Sequence, residues 1–194
     1  LLIYPLILFV MAETIIQVAL PELHVTWLCV TLLSVLYFIY CSEMWNQLDA
    51  LTGLLNQNSY LNQTGGVRSR GGILVVFDVD DFKQINDRYG HIQGDLCLAG
   101  IAECIKKSYA NFGYCYRIGG DEFCVLLKNG GNEGRCKQEF LQRLEEKRGE
   151  IAFLPTVSYG SAPFSGEDIV KVKDRADQDM YQYKKERKNR KTLS

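Results

Sequence analysis

Two acidic clusters stand at the ends of apolar, strand-like stretches of the sequence. The stretch GILVVFDVD ends with Asp78 and Asp80, and the stretch YRIGGDEFCVLL carries Asp121 and Glu122 directly after two glycines. Neighbouring carboxylates repel each other, and burying them is costly unless a cation or a hydrogen-bond donor compensates their charge. The two clusters therefore predict a site that binds positive charge.

The spacing of these residues predicts that the clusters converge. Asp78 and Asp80 would point to the same face of an extended strand, because side chains alternate with a period of two. Gly119 and Gly120 predict a hairpin, since glycines supply the positive φ that tight turns require. If this hairpin pairs with the first strand, Asp121 approaches Asp78. Oxygen ligands without a nearby cysteine or histidine favour Mg²⁺ or Mn²⁺, which substrate phosphates complete. The simpler interpretation of the DVDD segment, residues 78–81, is that its carboxylates cap a helix and lie in a solvated turn.

Helical and strand-like segments alternate around the clusters. The predicted elements are a helix over 43–54, a strand over 72–80, a short helix over 80–90, helices over 94–109 and 134–148, a strand over 156–162 and a long helix over 165–189. Strands separated by helices, with a hairpin in the middle, predict an α/β (α+β) domain. Its central mixed or antiparallel sheet would be surrounded by helices.

Composition argues against several functional classes. The 194 residues suit one domain of about 150 residues and an additional segment. The net charge of -1 provides no basic surface, so we expect no nucleic-acid partner. The seven cysteines show no CxxC spacing, which argues against a zinc site or a disulfide framework. They are interpreted as reduced, small apolar residues.

The N-terminal part of the chain is strongly apolar. Residues 1–41 contain two charged residues, Glu13 and Glu22, whereas every lysine and arginine lies at or beyond Arg68. We predict transmembrane segments over 1–41, at 1–20 and 25–41, followed by a separate domain over 42–194. The charge-free stretch 25–41 would extend about 26 Å as a helix, at the short end of a bilayer span. A signal peptide and a buried helical hairpin are the alternatives. The first residue is leucine, so we expect a fragment truncated at its N-terminus.

Five motifs, in order, resemble the GGDEF family of diguanylate cyclases. RIGGDEF resembles the family signature, and DALTGLLNQNSY resembles its opening motif. DVDDFKQINDRYGHIQGDLCL is similar to its metal and guanine segment. TVSYGSA and ADQDMYQYKKERKN resemble its closing strand and helix. The resemblance covers residues 49–189 and implies a palm-like nucleotide-cyclase fold, here preceded by a transmembrane helix or helical hairpin.

The resemblance also implies a reaction and its catalytic residues. The family condenses two GTP molecules into cyclic di-GMP and two pyrophosphates, through Mg-assisted attack of a 3′-hydroxyl on an α-phosphate. Asp78, the main-chain carbonyl of Val79, and Asp121 would hold the metal ions. Asp121 would also help to deprotonate the hydroxyl, and Glu122 would support the metal or the hydroxyl. Lys83 would neutralise charge that develops on the phosphates.

Substrate binding is assigned by the same resemblance to six residues, in three pairs: Asn86 and Asp95, Gly119 and Gly120, Lys184 and Lys188. The first pair would read the guanine edge, the second would let the backbone approach the triphosphate, and the third would reach the terminal phosphates. Three positions depart from the family pattern. Gln57 stands where an arginine is usual, Arg187 takes the place of a glycine, and Lys188 takes a place often held by arginine.

The resemblance implies partners and a location as well. Each protomer would bind one GTP, so a homodimer would be required for catalysis. The domain would lie in the cytoplasm at the cell inner (cytoplasmic) membrane, in contact with membrane lipid, with an upstream sensor region as a further partner. Two alternatives remain. The domain would be a catalytically weak or inactive module that binds GTP or a protein partner, or a nonspecific nucleotide hydrolase, for which the sequence holds no motif.

Overall fold

The computed structural model describes residues 8, 11–12, 14–15, 18–19, 26–45, 47–64, 71–128 and 132–192. The chain divides into two compact units, Leu1–Asn46 and Gln47–Ser194. The boundary between the units falls directly after the end of the first described helix, α1, which spans Thr26–Trp45.

Helix α1 exposes apolar side chains on all its sides. The exposed set runs through six consecutive positions, 35–40, which is more than one full turn, and also includes Val30 and Leu32. Within the described residues, no helix combines the length and the apolar character that crossing a bilayer demands. The transmembrane segments predicted at 1–20 and 25–41 are therefore not supported by the described residues. Most of residues 1–20, and residues 21–25, lie outside that part of the chain.

The second unit is an α+β domain with one antiparallel sheet. Its elements in chain order are α2 (Gln57–Thr64), β1 (Gly72–Val79), α3 (Phe82–Tyr89), α4 (His91–Tyr109), β2 (Gly113–Arg117), β3 (Glu122–Leu127), α5 (Glu133–Glu150), β4 (Val157–Phe164) and α6 (Ile169–Thr192). The strand order is β2-β3-β1-β4. All three strand pairs are antiparallel, so of the two sheet types predicted the antiparallel one is present.

The alternation of side chains along β1 divides the core between the two faces of the sheet. Val75, Phe77 and Val79 pack in the cluster that α4 and α5 complete. Leu74 and Val76 pack in the cluster that α2 and α6 complete. Even-numbered residues of β1 therefore face α6, and this alternation places the next even-numbered residue, Asp78, on the side of the sheet that α6 covers.

Helix α6 lies directly against β4 at Gly160. A Cβ atom added to Gly160 would overlap the backbone nitrogen of Met180 and the backbone oxygen of Ala176. Glycine is thus the residue that lets the helix backbone approach the strand this closely. This close approach determines how near the following turns of α6 come to the end of β1.

The helix predicted over 43–54 is wrong beyond Trp45. Residues 47–56 form turns instead, because the Asp49 carboxylate accepts hydrogen bonds from the amide and the hydroxyl of Thr52, at 2.9 and 2.6 Å. Gly53 has φ of 64°, which ends any helix there. The sequence also gave no indication of α2. Its segment QNSYLNQT has little apolar character, and only Tyr60 and Thr64 are buried.

Replacing Gly160 by alanine tests the close contact between α6 and β4. We expect Gly160→Ala to lower the free energy of unfolding by about 1–3 kcal/mol, because the added methyl group must push the α6 backbone away. Urea unfolding of the purified protein measures the change. Gly149→Ala is the matched control, since no atom lies within 4 Å of a Cβ at Gly149. It should leave stability unchanged or raise it by up to about 1 kcal/mol. Equal midpoints for both variants would contradict the expectation.

Candidate active site

The acidic ends of β1 and β3 meet in the sheet. The register places Asp78 directly opposite Glu122. The amide of Val79 donates to the carbonyl oxygen of Asp121 at 3.2 Å. The hairpin thus pairs with β1, and the cross-strand partner of Asp78 is Glu122, with Asp121 one residue before it. Cβ atoms of opposite residues in antiparallel strands are about 4.5–5.5 Å apart, and like charges there are destabilising. The pair requires a cation.

Lys184 of α6 supplies positive charge to the end of β1. Its Nζ lies 2.5 Å from Oδ2 of Asp78 and 3.1 Å from Oδ1 of Asp80. Burial by itself would lower the pKa of Lys184, but the hydrogen bonds to Asp78 and Asp80 outweigh this effect and raise the pKa. Lys184 is therefore a protonated cation at neutral pH. Its position also shows that the Asp78 and Asp80 carboxylates face the same side.

Asp80 is the best-buried charged residue of the site, at 8% exposure. Its Oδ1 accepts from the Ser158 hydroxyl at 2.7 Å, and its Oδ2 accepts from the Thr156 hydroxyl at 2.8 Å and from Nη1 of Arg187 at 3.2 Å. Burial alone would raise the pKa of Asp80, but hydrogen bonds from Ser158, Thr156 and Lys184 outweigh it and lower the pKa. Asp80 thus ties the end of β1 to β4 and α6.

Four further charged residues of the predicted site point to ligands outside the protein. Asp121 is half-buried, and Glu122, Lys83 and Asp95 are exposed. Among the described residues, none of the four side chains has a hydrogen-bond or ion-pair partner. Lys83 lies in the first turn of α3 and Asp95 in the second turn of α4. Their charges are accordingly available to a bound molecule.

Asn86 of α3 packs against α4 at Gly94, which directly precedes Asp95. The Asn86 Oδ1 atom is buried and has no hydrogen-bond partner within the described part of the chain. A Cβ atom at Gly94 would overlap this oxygen, so the absence of a side chain on α4 makes room for the Asn86 amide. The exposed Asp95 carboxylate, one residue after Gly94, is an acceptor that suits the donor edge of a purine.

The turn that carries Asp121 is held by Arg117. Its Nε and Nη2 donate to the carbonyl oxygen of Gly120 at 3.3 and 2.8 Å, and its Nη1 donates to Asp49 at 3.0 Å. The positive φ predicted for the two glycines is wrong, because neither Gly119 nor Gly120 has one. Space is the relevant property at Gly120, where an added Cβ would have no atom within 4 Å. A ligand can approach the backbone there.

Comparison with known proteins identifies the family. The diguanylate cyclase GGDEF domain matches residues 46–190. The chain belongs to this family. It is 37% identical over 160 residues to diguanylate cyclase DgcP of Pseudomonas aeruginosa, covering 73% of the chain and 23% of that protein. It is 30% identical over 148 residues to diguanylate cyclase A of Treponema denticola, covering 73% and 40%. The chain therefore spans less than half the length of either relative.

A solved structure supports the assignment. The crystal structure of the GGDEF domain of DgcB from Caulobacter crescentus, in complex with c-di-GMP, has a TM-score of 0.60 and 25% sequence identity to this chain. The alignment covers 72% of this chain and 90% of the DgcB domain. The predicted palm-like fold, an antiparallel sheet with helices around it, is thereby confirmed for the GGDEF domain.

The residues of the GGDEF domain suit a hard divalent cation. No group of three or more His, Cys, Asp or Glu side chains is close enough to hold a metal ion in the described residues. The Asp78 and Asp80 carboxylates are instead bridged by the ammonium group of Lys184. This contact shows that the site attracts positive charge, and its donors are all oxygen atoms, as Mg²⁺ and Mn²⁺ prefer. The side chain of Lys188, which is predicted to bind phosphate, lies outside the described part of the structure.

Sequence analysis missed the central position of Asp80 and its contact with Arg187. Thr156 and Ser158 alternate on the last strand, as Asp78 and Asp80 do at the end of the first. Pairing these two sets of polar residues would have indicated that a carboxylate is buried between strands. The contact with Arg187 had no such indication, because it depends on where α6 crosses the sheet.

Replacing Asp80 by asparagine tests whether its charge holds the site together. The folded-state pKa of Asp80 is below the unfolded value, so its charge stabilises the fold above about pH 4, and this contribution is lost as pH falls through the folded pKa. We expect Asp80→Asn to lower the free energy of unfolding at pH 7 by about 2–4 kcal/mol and by less at pH 3. Urea unfolding at both pH values measures this. Asp87→Asn, an exposed carboxylate on α3, is the control, and a pH-independent difference for Asp80→Asn would disprove the interpretation.

Proposed function

We propose that the protein is a diguanylate cyclase that condenses two GTP molecules into cyclic di-GMP and two pyrophosphates. The observation that carries the proposal is the pairing of Asp78 with Glu122 at the GGDEF hairpin, with the Lys184 ammonium beside it. Membership of the family and the names of the relatives support the same activity. The unpaired charges of Lys83, Asp95 and Asp121 lie at the surface of this site, where substrate can reach them.

Asp78, the carbonyl of Val79, and Asp121 would hold Mg²⁺ or Mn²⁺, and the cross-strand position of Glu122 adds a further carboxylate. The metal would supply a positive charge that stabilises the α-phosphate and the attacking oxygen. In each of two reciprocal displacements, the 3′-oxygen of one GTP would form a bond to the α-phosphorus of the other, and the bond from that phosphorus to the oxygen that bridges to the β-phosphorus would break. Asp121 accepts the hydroxyl proton, and pyrophosphate leaves with the electron pair.

Lys184 and Lys83 would bind the triphosphate. In the present arrangement Lys184 is engaged by Asp78, which the metal would also need. If Asp78 held a divalent cation, the ammonium of Lys184 would be free to turn toward a phosphate, with Asp80 still within reach. The same lysine thus compensates the carboxylates without substrate and the phosphates with it.

Asn86 and Asp95 would select guanine. The Asp95 carboxylate accepts from N1–H and the 2-amino group, a donor pattern that adenine lacks. The Asn86 Oδ1 is buried against Gly94, so the Asn86 amide would take part in base reading once its side chain turns toward the base. Gly119 and Gly120 would leave the space in which the backbone approaches the triphosphate.

The product dictates that two copies of the domain cooperate. Cyclic di-GMP is two-fold symmetric, and each GGDEF domain would contribute one GTP, so two sites must face each other in a homodimer. An upstream sensor region would control how often the two domains meet.

The apolar N-terminal segment would attach the protein to lipid at the cytoplasmic face of the cell inner membrane. The exposed apolar side chains of α1 support this proposal, together with the charge-free stretch 25–41. We expect the protein to remain in the membrane fraction of cells after a carbonate wash. Release of the whole population into the soluble fraction by that wash would refute the attachment.

A catalytically inactive GTP-binding module is the second candidate function. The observations in its favour are the direct contact of Lys184 with Asp78 and the presence of Arg187 and Lys188 at positions that depart from the family pattern. Turnover separates the two candidates, because the inactive module would bind GTP and return it unchanged.

Activity is tested with GTP and Mg²⁺, with chromatography of the products. We expect cyclic di-GMP from the unmodified protein and a fall of about 10²–10⁴-fold in Asp121→Asn, because the amide cannot accept the proton. Asp87→Asn serves as the control, since it removes an exposed carboxylate from α3 and should leave the rate unchanged. Full turnover by Asp121→Asn would rule out the assigned role.

Base selection is tested with Asp95→Ser. Without the carboxylate, the guanine donors lose their acceptor, which should cost about 1–3 kcal/mol in GTP affinity and reduce the preference for GTP over ATP by about tenfold or more. Competition binding of the two nucleotides measures the preference. Asp87→Ser is the matched control. Retention of the full preference in Asp95→Ser would show that another group reads the base.

A further inference from the structure

Arg187 lies beside the phosphate-binding lysine of the GGDEF domain. It follows Lys184 by three residues on α6 and therefore lies on the same face of the helix. Its Nη1 donates to Oδ2 of Asp80 at 3.2 Å and to the carbonyl oxygen of Val157 at 3.3 Å. The guanidinium carbon is 6.0 Å from the centre of the Tyr183 ring. These contacts fix the side chain at the edge of the proposed site.

Three of the five N–H donors of the Arg187 guanidinium remain available. An arginine side chain carries five N–H donors on three nitrogens. The contacts described above use Nη1, and neither Nε nor Nη2 has a hydrogen-bond partner among the described residues. The side chain is 26% exposed, so these donors can reach a molecule in solution. A guanidinium held by a carboxylate through one nitrogen is already oriented to bind a phosphate through the others.

Asp80 is suited to hold this arginine rather than to bind a metal. Each of its carboxylate oxygens already accepts two bonds, from Ser158 and Lys184 at Oδ1 and from Thr156 and Arg187 at Oδ2. Asp78, in contrast, contacts Lys184 alone among the described side chains. The two aspartates therefore have different roles. Asp78 would bind the metal ion, and Asp80 holds Lys184 and Arg187, the two cations of α6, in place.

We propose that Arg187 binds the terminal phosphate of the nucleoside triphosphate, next to Lys184. This inference rests on the proposed function, because it assumes that a triphosphate occupies the site. The planar guanidinium grips a phosphate through two nitrogens, which a lysine such as Lys188 cannot do. Arg187 would thus distinguish a triphosphate from a diphosphate. It would also supply the two-nitrogen contact with phosphate that is lost where Lys188 stands in place of an arginine.

The test compares nucleotides that differ in the terminal phosphate. The probes are the α,β-methylene analogues of GTP and GDP, which carry a P–C–P linkage where the reaction would break a P–O bond. Their affinities for the purified full chain in the presence of Mg²⁺ are measured by calorimetry. The variants are Arg187→Ala and Arg187→Lys, with Lys185→Ala as the matched control. Lys185 is an exposed cation one residue after Lys184 on the same helix.

We expect Arg187→Ala to weaken binding of the GTP analogue about tenfold or more and to change the affinity for the GDP analogue less than about twofold. Arg187→Lys should retain part of the affinity, and Lys185→Ala should change both affinities equally and slightly. Equal weakening of both analogues by Arg187→Ala would overturn the proposal, as would unchanged affinity for both. An effect of the same size in Lys185→Ala would also overturn the proposal, because the loss of any positive charge on this helix would then explain the weaker binding.

Two further measurements keep the result decisive. Arg187→Gln keeps a donor for Asp80 and removes the charge, so the comparison can be made if the alanine variant unfolds. Product formation from GTP by the unmodified protein is measured separately. Absence of product would refute the proposed cyclase activity, whereas product formation with an unchanged preference for the triphosphate in the arginine variants would refute the role of Arg187 alone.

Discussion

The contact of Lys184 with the carboxylates of Asp78 and Asp80 determines the arrangement of the site. Three acidic side chains, those of Asp78, Asp80 and Glu122, gather where β1 and β3 end, and mutual repulsion would separate these ends without a cation. The cation comes from α6, more than a hundred residues later in the chain. Helix α6 must therefore cross the sheet where Lys184 reaches the end of β1, and the packing of α6 against the sheet has to place it there.

Two glycines provide the required approach of helices to their neighbours. Gly160 lets α6 lie directly on β4, and Gly94 leaves room for the buried oxygen of Asn86 between α3 and α4. A methyl group at Gly160 would have to move the helix, because backbone atoms of α6 stand in the way, whereas a methyl group at Gly94 would displace the Asn86 side chain. The positions of Lys184 on α6 and of Asn86 on α3 therefore depend on how these helices pack against their neighbours.

The sequence predicts the parts of this arrangement that depend on local patterns. The apolar strand that ends at Asp78, the hairpin with the double glycine, and the buried faces of α4, α5 and α6 all follow from periodicity. Helix α2 was missed because its residues are almost all polar and it is held by Tyr60 and by contacts with distant strands. The positive φ predicted for Gly119 and Gly120 is wrong. Arg117 holds the Gly120 carbonyl, and its guanidinium is itself positioned by Asp49, which lies 68 residues earlier in the chain. Such long-range contacts leave no local pattern in the sequence.

The site residues divide in the same way. Asp78 and Asp121 could be predicted as a cation site because Asp78 lies near the end of one apolar strand and Asp121 directly precedes another, but the direct opposition of Asp78 and Glu122 depends on the register of the sheet. The role of Asp80 required knowledge of which strand lies next to β1, since its hydroxyl partners come from β4. Once these donors and the cations of α6 saturate Asp80, it can no longer contribute to metal binding. Asp78 has a single partner, Lys184, among the side chains that the structure describes. A divalent cation that bound Asp78 would displace Lys184 at little cost in free energy, because Lys184 would keep its contact with the Asp80 carboxylate.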